Sequence, residues 1–284
     1  MQPYPHRFAD PQLDKFDPLG RILVHDTFSA GLNGWIGLIG NYEDSLTKML
    51  PVFRPMNQPM LSTAVGWDSG SHGAMSGPYA MKIATRPIKG AMNLALKRMT
   101  FRKLGRIQLE AYIAAKPEPS EATLSIEDLR SFGMFMDLQS RQYRGLPHLR
   151  FLNCLDGELK HTWQFKQQTA DDNVVSSSAR TRSLQHLYPH GWEDVPDGRQ
   201  DTCYNELPTK MNWQYLKVGV DLRDMSFTSF QFNDREFDVS GMGVMRMEPW
   251  ANLDCMLNIG FFVETDSDKR SFLFVDSVLL SGDF

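Results

Sequence analysis

Three carboxylates, Glu110, Glu264 and Asp137, fall at alternating positions of runs whose other positions are apolar, so a strand would turn them away from the core. Two carboxyl groups facing each other across a groove can divide acid and base, or acid and nucleophile, between them. The alternation predicts that Glu110 and Glu264 face the open side of one sheet, with Asp137 as a third candidate. The same reasoning turns Tyr112, His148, Arg150, His161, Trp163, Lys217 and Asn258 outward as candidate substrate-binding residues, along with Gln139 and Asp221. Trp192 joins them from an irregular stretch. A single outward charged residue on an antiparallel sheet is most often just solvated. Trp163 fits the core as well as a groove, because Thr162 and Gln164 make its own face the more apolar one.

The elements that must carry these residues are strands. Residues 213–280 form four alternating runs separated by turn residues, which predicts an antiparallel meander. In the first run Gln214, Leu216, Val218 and Val220 share one face. The second and a short return strand from Phe237 predict a hairpin with Asn233, Asp234, Arg235 and Glu236 at its tip. Further strands are expected at 22–28, 60–67, 78–85, 91–101, 106–115, 132–139, 148–153 and 161–167. Ser125 with Asp128 three residues on suggests a capped helical turn. Residues 1–21, rich in Pro, Asp and aromatics at their start, read as an arm laid over the surface. Regularity fails across 168–212, a length usual for a functional loop or for hidden small strands. This stretch holds His186, His190, Trp192, Glu193, Asp194, Asp197, Arg199 and Tyr204; Pro189 argues against a helical spacing of its two histidines as metal ligands.

Composition narrows the class. A chain of 284 residues with 42% hydrophobic and 23% charged residues can bury a full core as one domain, 22–284, behind the arm. Its net charge of -4 and lack of a basic block argue against a nucleic-acid partner. No apolar run approaches the roughly 18 residues of a membrane helix. The start lacks the apolar core of a secretory signal, which predicts a cytoplasmic location. Cys154, Cys203 and Cys255 contain no C-x-x-C pair and read as packed thiols.

Two phrases then carry a resemblance. His25-Asp26-Thr27-Phe28-Ser29-Ala30-Gly31-Leu32-Asn33-Gly34-Trp35 near the start and Phe274-Val275-Asp276-Ser277-Val278-Leu279-Leu280 at the end resemble the paired opening and closing strands of concanavalin-A-like and carbohydrate-binding jelly rolls. Ser76-Gly77-Pro78-Tyr79-Ala80-Met81-Lys82-Ile83 is similar to an early strand of that superfamily. The resemblance implies an all-β, antiparallel two-sheet jelly-roll sandwich with a ligand groove on one sheet and a carbohydrate as partner. It also implies a structural Ca²⁺ held by Asp26 and Asp276; no other cofactor is called for. Sugars combine apolar C–H faces with dense hydroxyls, so indole and phenol platforms beside Asp, Asn, Arg and Gln suit them chemically. Hydrolysis of a glycosidic bond would need two carboxylates about 5 to 9.5 Å apart. The one-strand E-x-D-x-x-E arrangement of jelly-roll glucanases is absent, leaving pairs drawn from different strands. A polysaccharide lyase is less favoured: Tyr215 and Lys217 resemble only a fragment of such motifs. The superfamily hosts many activities, so three readings stand: a carbohydrate-active enzyme, a non-catalytic sugar-binding module, and a protein-interaction sandwich.

Overall fold

Alternating apolar residues bury one face of each strand, and two such sheets close over a shared core. The structure, a computed structural model, describes residues 10–38, 56–63, 73–100, 102–119, 125–167, 191–203, 210–249 and 253–284. One sheet has eight strands. Its path runs β14 (Arg235–Glu236), β13 (Ser226–Phe232), β12 (Gln214–Asp221), β6 (Arg106–Pro117), β17 (Ser271–Asp283), β4 (Tyr79–Ala84) and β3 (Met60–Thr63), with β1 (Arg21–Asp26) also on β17. The other has nine. Its path is β11 (Trp192–Arg199), β10 (Glu158–Lys166), β9 (His148–Leu155), β7 (Leu129–Gln139), β16 (Met256–Thr265), β5 (Met92–Thr100) and β2 (Trp35–Ile36), while β8 (Arg144–Leu146) pairs with β7 and β15 (Met245–Met247) with β8. The pairings that define the two paths are antiparallel.

This is an all-β, antiparallel two-sheet sandwich. The opening strand pairs with the closing one, Asp26 opposite Val278, as the jelly-roll resemblance implies. Ile107, Leu109 and Ala111 of β6 and Leu216, Val218 and Val220 of β12 meet Met134, Met136, Phe151, Ile259 and Phe261 of the facing sheet in one core.

Three expectations change, and the open reading of 168–212 is decided in part. The C-terminal runs are no meander: β12, β13 and β17 belong to the eight-stranded sheet, but β16 lies in the other, between β7 and β5. The hairpin tip is Asn233 and Asp234 alone, since Arg235 and Glu236 already pair back onto Phe232 and Gln231; Asn233, at a φ of 54°, takes the left-handed turn that asparagine tolerates. Within 168–212, residues 192–199 form a full edge strand on β10. Ser125 makes no side-chain cap, and the helical turn is a single 3-10 turn, Ile126–Asp128.

The described part of the arm, from Asp10 onward, lies on the outer face of the eight-stranded sheet. Leu13 and Phe16 pack on Leu279, Tyr112 and Tyr215. Its backbone is pinned where the Asp17 amide donates to Glu110 at 2.7 Å and the Leu19 amide to Ser281 at 2.9 Å.

Candidate functional site

The two sheets divide the candidate residues. Glu110, Tyr112 and Lys217 face outward from the eight-stranded sheet, Glu110 opposite Lys217 and Tyr112 opposite Tyr215. Glu264, Asp137, Asn258, His148 and Arg150 face outward from the nine-stranded sheet. Glu110 and Glu264 therefore lie on opposite outer faces of a sandwich whose sheets alone stand roughly 10 Å apart, and the expected carboxylate pair does not form. Sequence order misled here because neighbouring strands in the sheet are not neighbours in the chain. Asp137 and Glu264 share a face. However, Asp137 opposes Asn258 and Glu264 opposes Ser131, six residues along, or roughly 20 Å of strand. That exceeds any spacing for two-carboxylate glycoside hydrolysis.

Glu110 is also fully buried. Its carboxylate accepts from the Asp17 amide, from the Tyr215 hydroxyl at 2.5 Å and from Gln108 Nε2 at 2.9 Å, all beneath the arm. Burial and the adjacent Glu110 charge push the Tyr215 phenol far up, so it stays a donor. Tyr112 donates to the Lys15 carbonyl, and Lys217 lies 3.8 Å from Asp17 and 3.9 Å from Glu236. These three residues hold the arm and its surroundings in place.

Trp163 is core, fully buried among Phe132, Phe151, Phe230 and Phe232. The register of β10 on β9 shifts between Leu159 and Thr162, with His161 at a φ of 50°. This bulge sets Trp163 and Phe165 inward. His161 stacks beside the core residue Phe151 and approaches Asp201 at 3.2 Å.

Asp26 and Asp276 do not converge on a shared cation. Asp26 turns to the interlayer side, accepting from Trp35 Nε1 at 2.9 Å and Lys97 Nζ at 2.8 Å. Asp276, in register with outward Tyr112, accepts from the amides of Met75 and Ser76 and the Ser277 hydroxyl. The hard oxygens that calcium would need are spent on protein donors. Among the described residues, no group of three or more His, Cys, Asp or Glu side chains could hold a metal. His186 and His190 lie outside the described residues.

What does come together is a pair of rows running across the nine-stranded sheet. The polar row begins with Asp194, which accepts from Gln164 Nε2 at 2.8 Å, and Gln164 Oε1 accepts from Arg150 Nε at 2.8 Å. Arg150 Nη1 reaches Glu264 at 3.4 Å, and Glu264 accepts from the Ser131 hydroxyl. Five adjacent strands, β11, β10, β9, β7 and β16, supply one residue each. One position further along lies an aromatic row. Trp192 opposes Lys166, and His148 opposes Phe135, whose ring lies over Gly260. The His148 ring meets Trp192 at 4.9 Å and Phe135 at 5.7 Å. Phe262 lies over Gly133, where an added Cβ would sit 2.1 Å from the Leu149 carbonyl oxygen.

The rows are buried in the middle and open at the β11 edge. Arg150, Glu264, His148 and Lys166 are nearly inaccessible, Trp192 and Gln164 are half-buried and Asp194 is exposed. The Arg150 guanidinium sits 4.2 Å from the Trp192 ring centre and Lys166 Nζ 4.6 Å, so a guanidinium and a buried amine flank the indole. Burial draws Lys166 down to about 7, helped by the Arg150 charge, and draws Arg150 to about 10. Of these, Arg150, Trp192, Glu264 and His148 were candidates in the sequence reading. It missed Lys166 and Gln164, on the bulged β10, and Ser131, one residue before the expected strand 132–139, and it named Asp194 only within the irregular 168–212 stretch.

At the far end of the same face Asp137 is clamped by Arg144, Nε to Oδ1 and Nη2 to Oδ2, both at 2.8 Å. Asn258 accepts from Arg98 Nε at 3.0 Å and donates to Asp137 at 3.4 Å. Asp137 and Asn258 thus form a rigid polar floor and are no partners for Glu264.

Residues 5–284 match the family described as Domain of unknown function (DUF6772), and the chain belongs to it. No curated protein matches in sequence. Among solved structures, the carbohydrate esterase from the Shiga toxin-encoding bacteriophage phi24B is 10% identical, covering 93% of this chain and 99% of that chain, at a TM-score of 0.45. Lectin II from Ulex europaeus is 9% identical over 74% and 89%, at 0.40, and the metal-free lectin I-B4 from Griffonia simplicifolia is 9% identical over 92% and 100%, at 0.41. At such identities and scores the likeness concerns the fold, and no ligand or activity of theirs is carried to this chain.

Proposed function

We propose that this protein binds a carbohydrate at the open edge of the nine-stranded sheet, and that it does so without cleaving it. One observation carries the reading: the aromatic and polar rows run side by side and surface together, presenting the Trp192 indole next to the Gln164 amide and the Asp194 carboxylate. A sugar ring offers an apolar C–H face to an aromatic platform and hydroxyls that both donate and accept. Gln164 and Asp194 supply both roles. Buried Arg150 orients Gln164 and supports Trp192, so little side-chain freedom is lost on binding. Against cleavage, Glu264 is tied to Ser131 and Arg150, and neither Glu110, on the other sheet, nor Asp137, six residues along, lies at a working distance from it.

Isothermal titration across a panel of neutral and acidic oligosaccharides tests the proposal. At least one member is expected to bind, Trp192→Ala and Gln164→Ala weakening it about tenfold each while products stay undetectable. Loss of a stacked indole or of a paired polar contact is commonly worth roughly 1–2 kcal/mol. No binding across the panel, or binding indifferent to both variants, contradicts it.

A further inference from the structure

A second site lies at the opposite end of this face. Where β7 ends, Gln139, Ser140, Arg141 and Gln142 meet Arg102 and Asp254 around a cleft of about 300 Å³. That is at the small end of ligand sites, which run roughly 300–1,000 Å³. Gly133, opposite Arg150 of the polar row, is six residues back along β7, about 20 Å away. The cleft is separate from the glycan edge.

Its wall contains an unmet requirement. Gln139 is 2% exposed, and its side-chain oxygen has no hydrogen-bond partner. The amide orientation is not interchangeable: Nε2 donates to Asp137 Oδ1 at 3.0 Å, and a carboxylate clamped by Arg144 can only accept. Turning the amide over would set oxygen against oxygen. The free atom is therefore the acceptor. A buried acceptor left unpaired among the described residues costs roughly 1–3 kcal/mol; the oxygen is closed to solvent, so a ligand donor recovers that cost by drawing the Gln139 amide towards the cleft it lines.

Charge narrows the donor. Around this end stand Arg98, Arg102, Arg141 and Arg144 against Asp137 and Asp254. Arg144 is committed to Asp137 and Arg141 to Asp254, the latter with Nε at 2.7 Å. Arg102 is exposed on the cleft, as is Gln142. The surplus positive charge disfavours an ammonium donor and favours an anion, while the Gln139 oxygen requires a hydrogen from the ligand.

We propose that the cleft binds a small hydroxy acid, its hydroxyl donating to Gln139 Oε1 and its carboxylate received by Arg102 with Gln142. The class covers sugar acids and short 2- or 3-hydroxy acids alike. Gluconate, glycerate and lactate are the probes, with glucose (hydroxyls, no carboxylate) and acetate (carboxylate, no hydroxyl) as the matched pair lacking one half.

Titration calorimetry on the full chain reads the outcome. Binding of at least one hydroxy acid is expected, with glucose and acetate each weaker by about tenfold or more, as loss of one charge-assisted or one buried hydrogen bond predicts. Arg102→Gln, at an exposed position, is expected to weaken the acid about tenfold, and Gln139→Met to do the same. Trp192→Ala is expected to leave it unchanged. Glucose binding to Trp192→Ala as tightly as the acid does, an acid that binds Arg102→Gln with unaltered affinity, or no acid binding at all overturns the proposal. Because Arg102 is exposed, its variant decides the matter even where Gln139→Met does not fold.

Discussion

Arg150 is held from three directions, by Gln164, by Glu264 and by the Trp192 ring, and Asp137 is gripped on both oxygens by Arg144. These buried contacts fix side chains that the site uses or leans on. The Arg144 and Asp137 side chains are 3% and 8% exposed, so removing one partner strands the other charge in the protein. Arg144→Met is expected to destabilise the fold by roughly 3–5 kcal/mol, read as a lowered urea midpoint with an unchanged slope. A loss under about 1 kcal/mol would mean that Asp137 finds another donor. At this scale the sequence was readable wherever a strand runs without a bulge: on β7, β9 and β16 simple alternation placed Asp137, His148, Arg150, Asn258 and Glu264 on the outer face. It stayed undecided at β10, where Trp163 fitted core and groove alike and the strand after the register shift sets it in the core.

Elements decide which outward residues can meet. Gly133 and Gly260 let two phenyl rings lie flat on the sheet, Phe262 over the first and Phe135 over the second, and so build the aromatic row. A Cβ at Gly133 would meet backbone, the Leu149 oxygen at 2.1 Å and Arg150 Cα at 2.8 Å, which cannot swing aside as a side chain could. Gly133→Ala is expected to cost at least the upper end of the roughly 1–3 kcal/mol of core overpacking, and to shift the near-ultraviolet circular dichroism of the aromatic row. Unchanged stability would place the β7 and β9 backbones further apart than described. Strand order was the part that the sequence concealed. The runs holding Glu110 and Glu264 look alike in pattern, yet β6 and β16 belong to different sheets, and nothing in local alternation records which non-local partner a strand takes. Edge strand β11 was hidden because its register on β10 is itself irregular and it carries Pro196 and Gly198 in place of a clean alternation.

Across the whole molecule the two outer faces have different occupations. The eight-stranded sheet is covered by the chain's own arm, which buries Glu110, while the nine-stranded sheet carries the rows and the cleft. Its buried amine also links the site to stability. Lys166 titrates near 7 in the fold against 10.5 when free, so between those values the unfolded chain holds a proton that the folded chain has released. Stability should therefore rise as pH goes from about 7 towards 10.5, and be lowest from this source below 7, where the charge is buried. Lys166→Met should remove that rise; a rise that persists in the variant would assign it to other groups. The central claim is that a glycan sits against Trp192 and Gln164 at the open edge of this sheet. Its most direct test follows the Trp192 indole N–H and the Gln164 side-chain amide by two-dimensional NMR as oligosaccharide is added, with single-site variants to assign both. These two signals should move together and saturate while the Tyr112 and Tyr215 ring signals of the other face stay still. Shifts centred on that other face, or none at the Trp192 indole when a glycan binds, would contradict it.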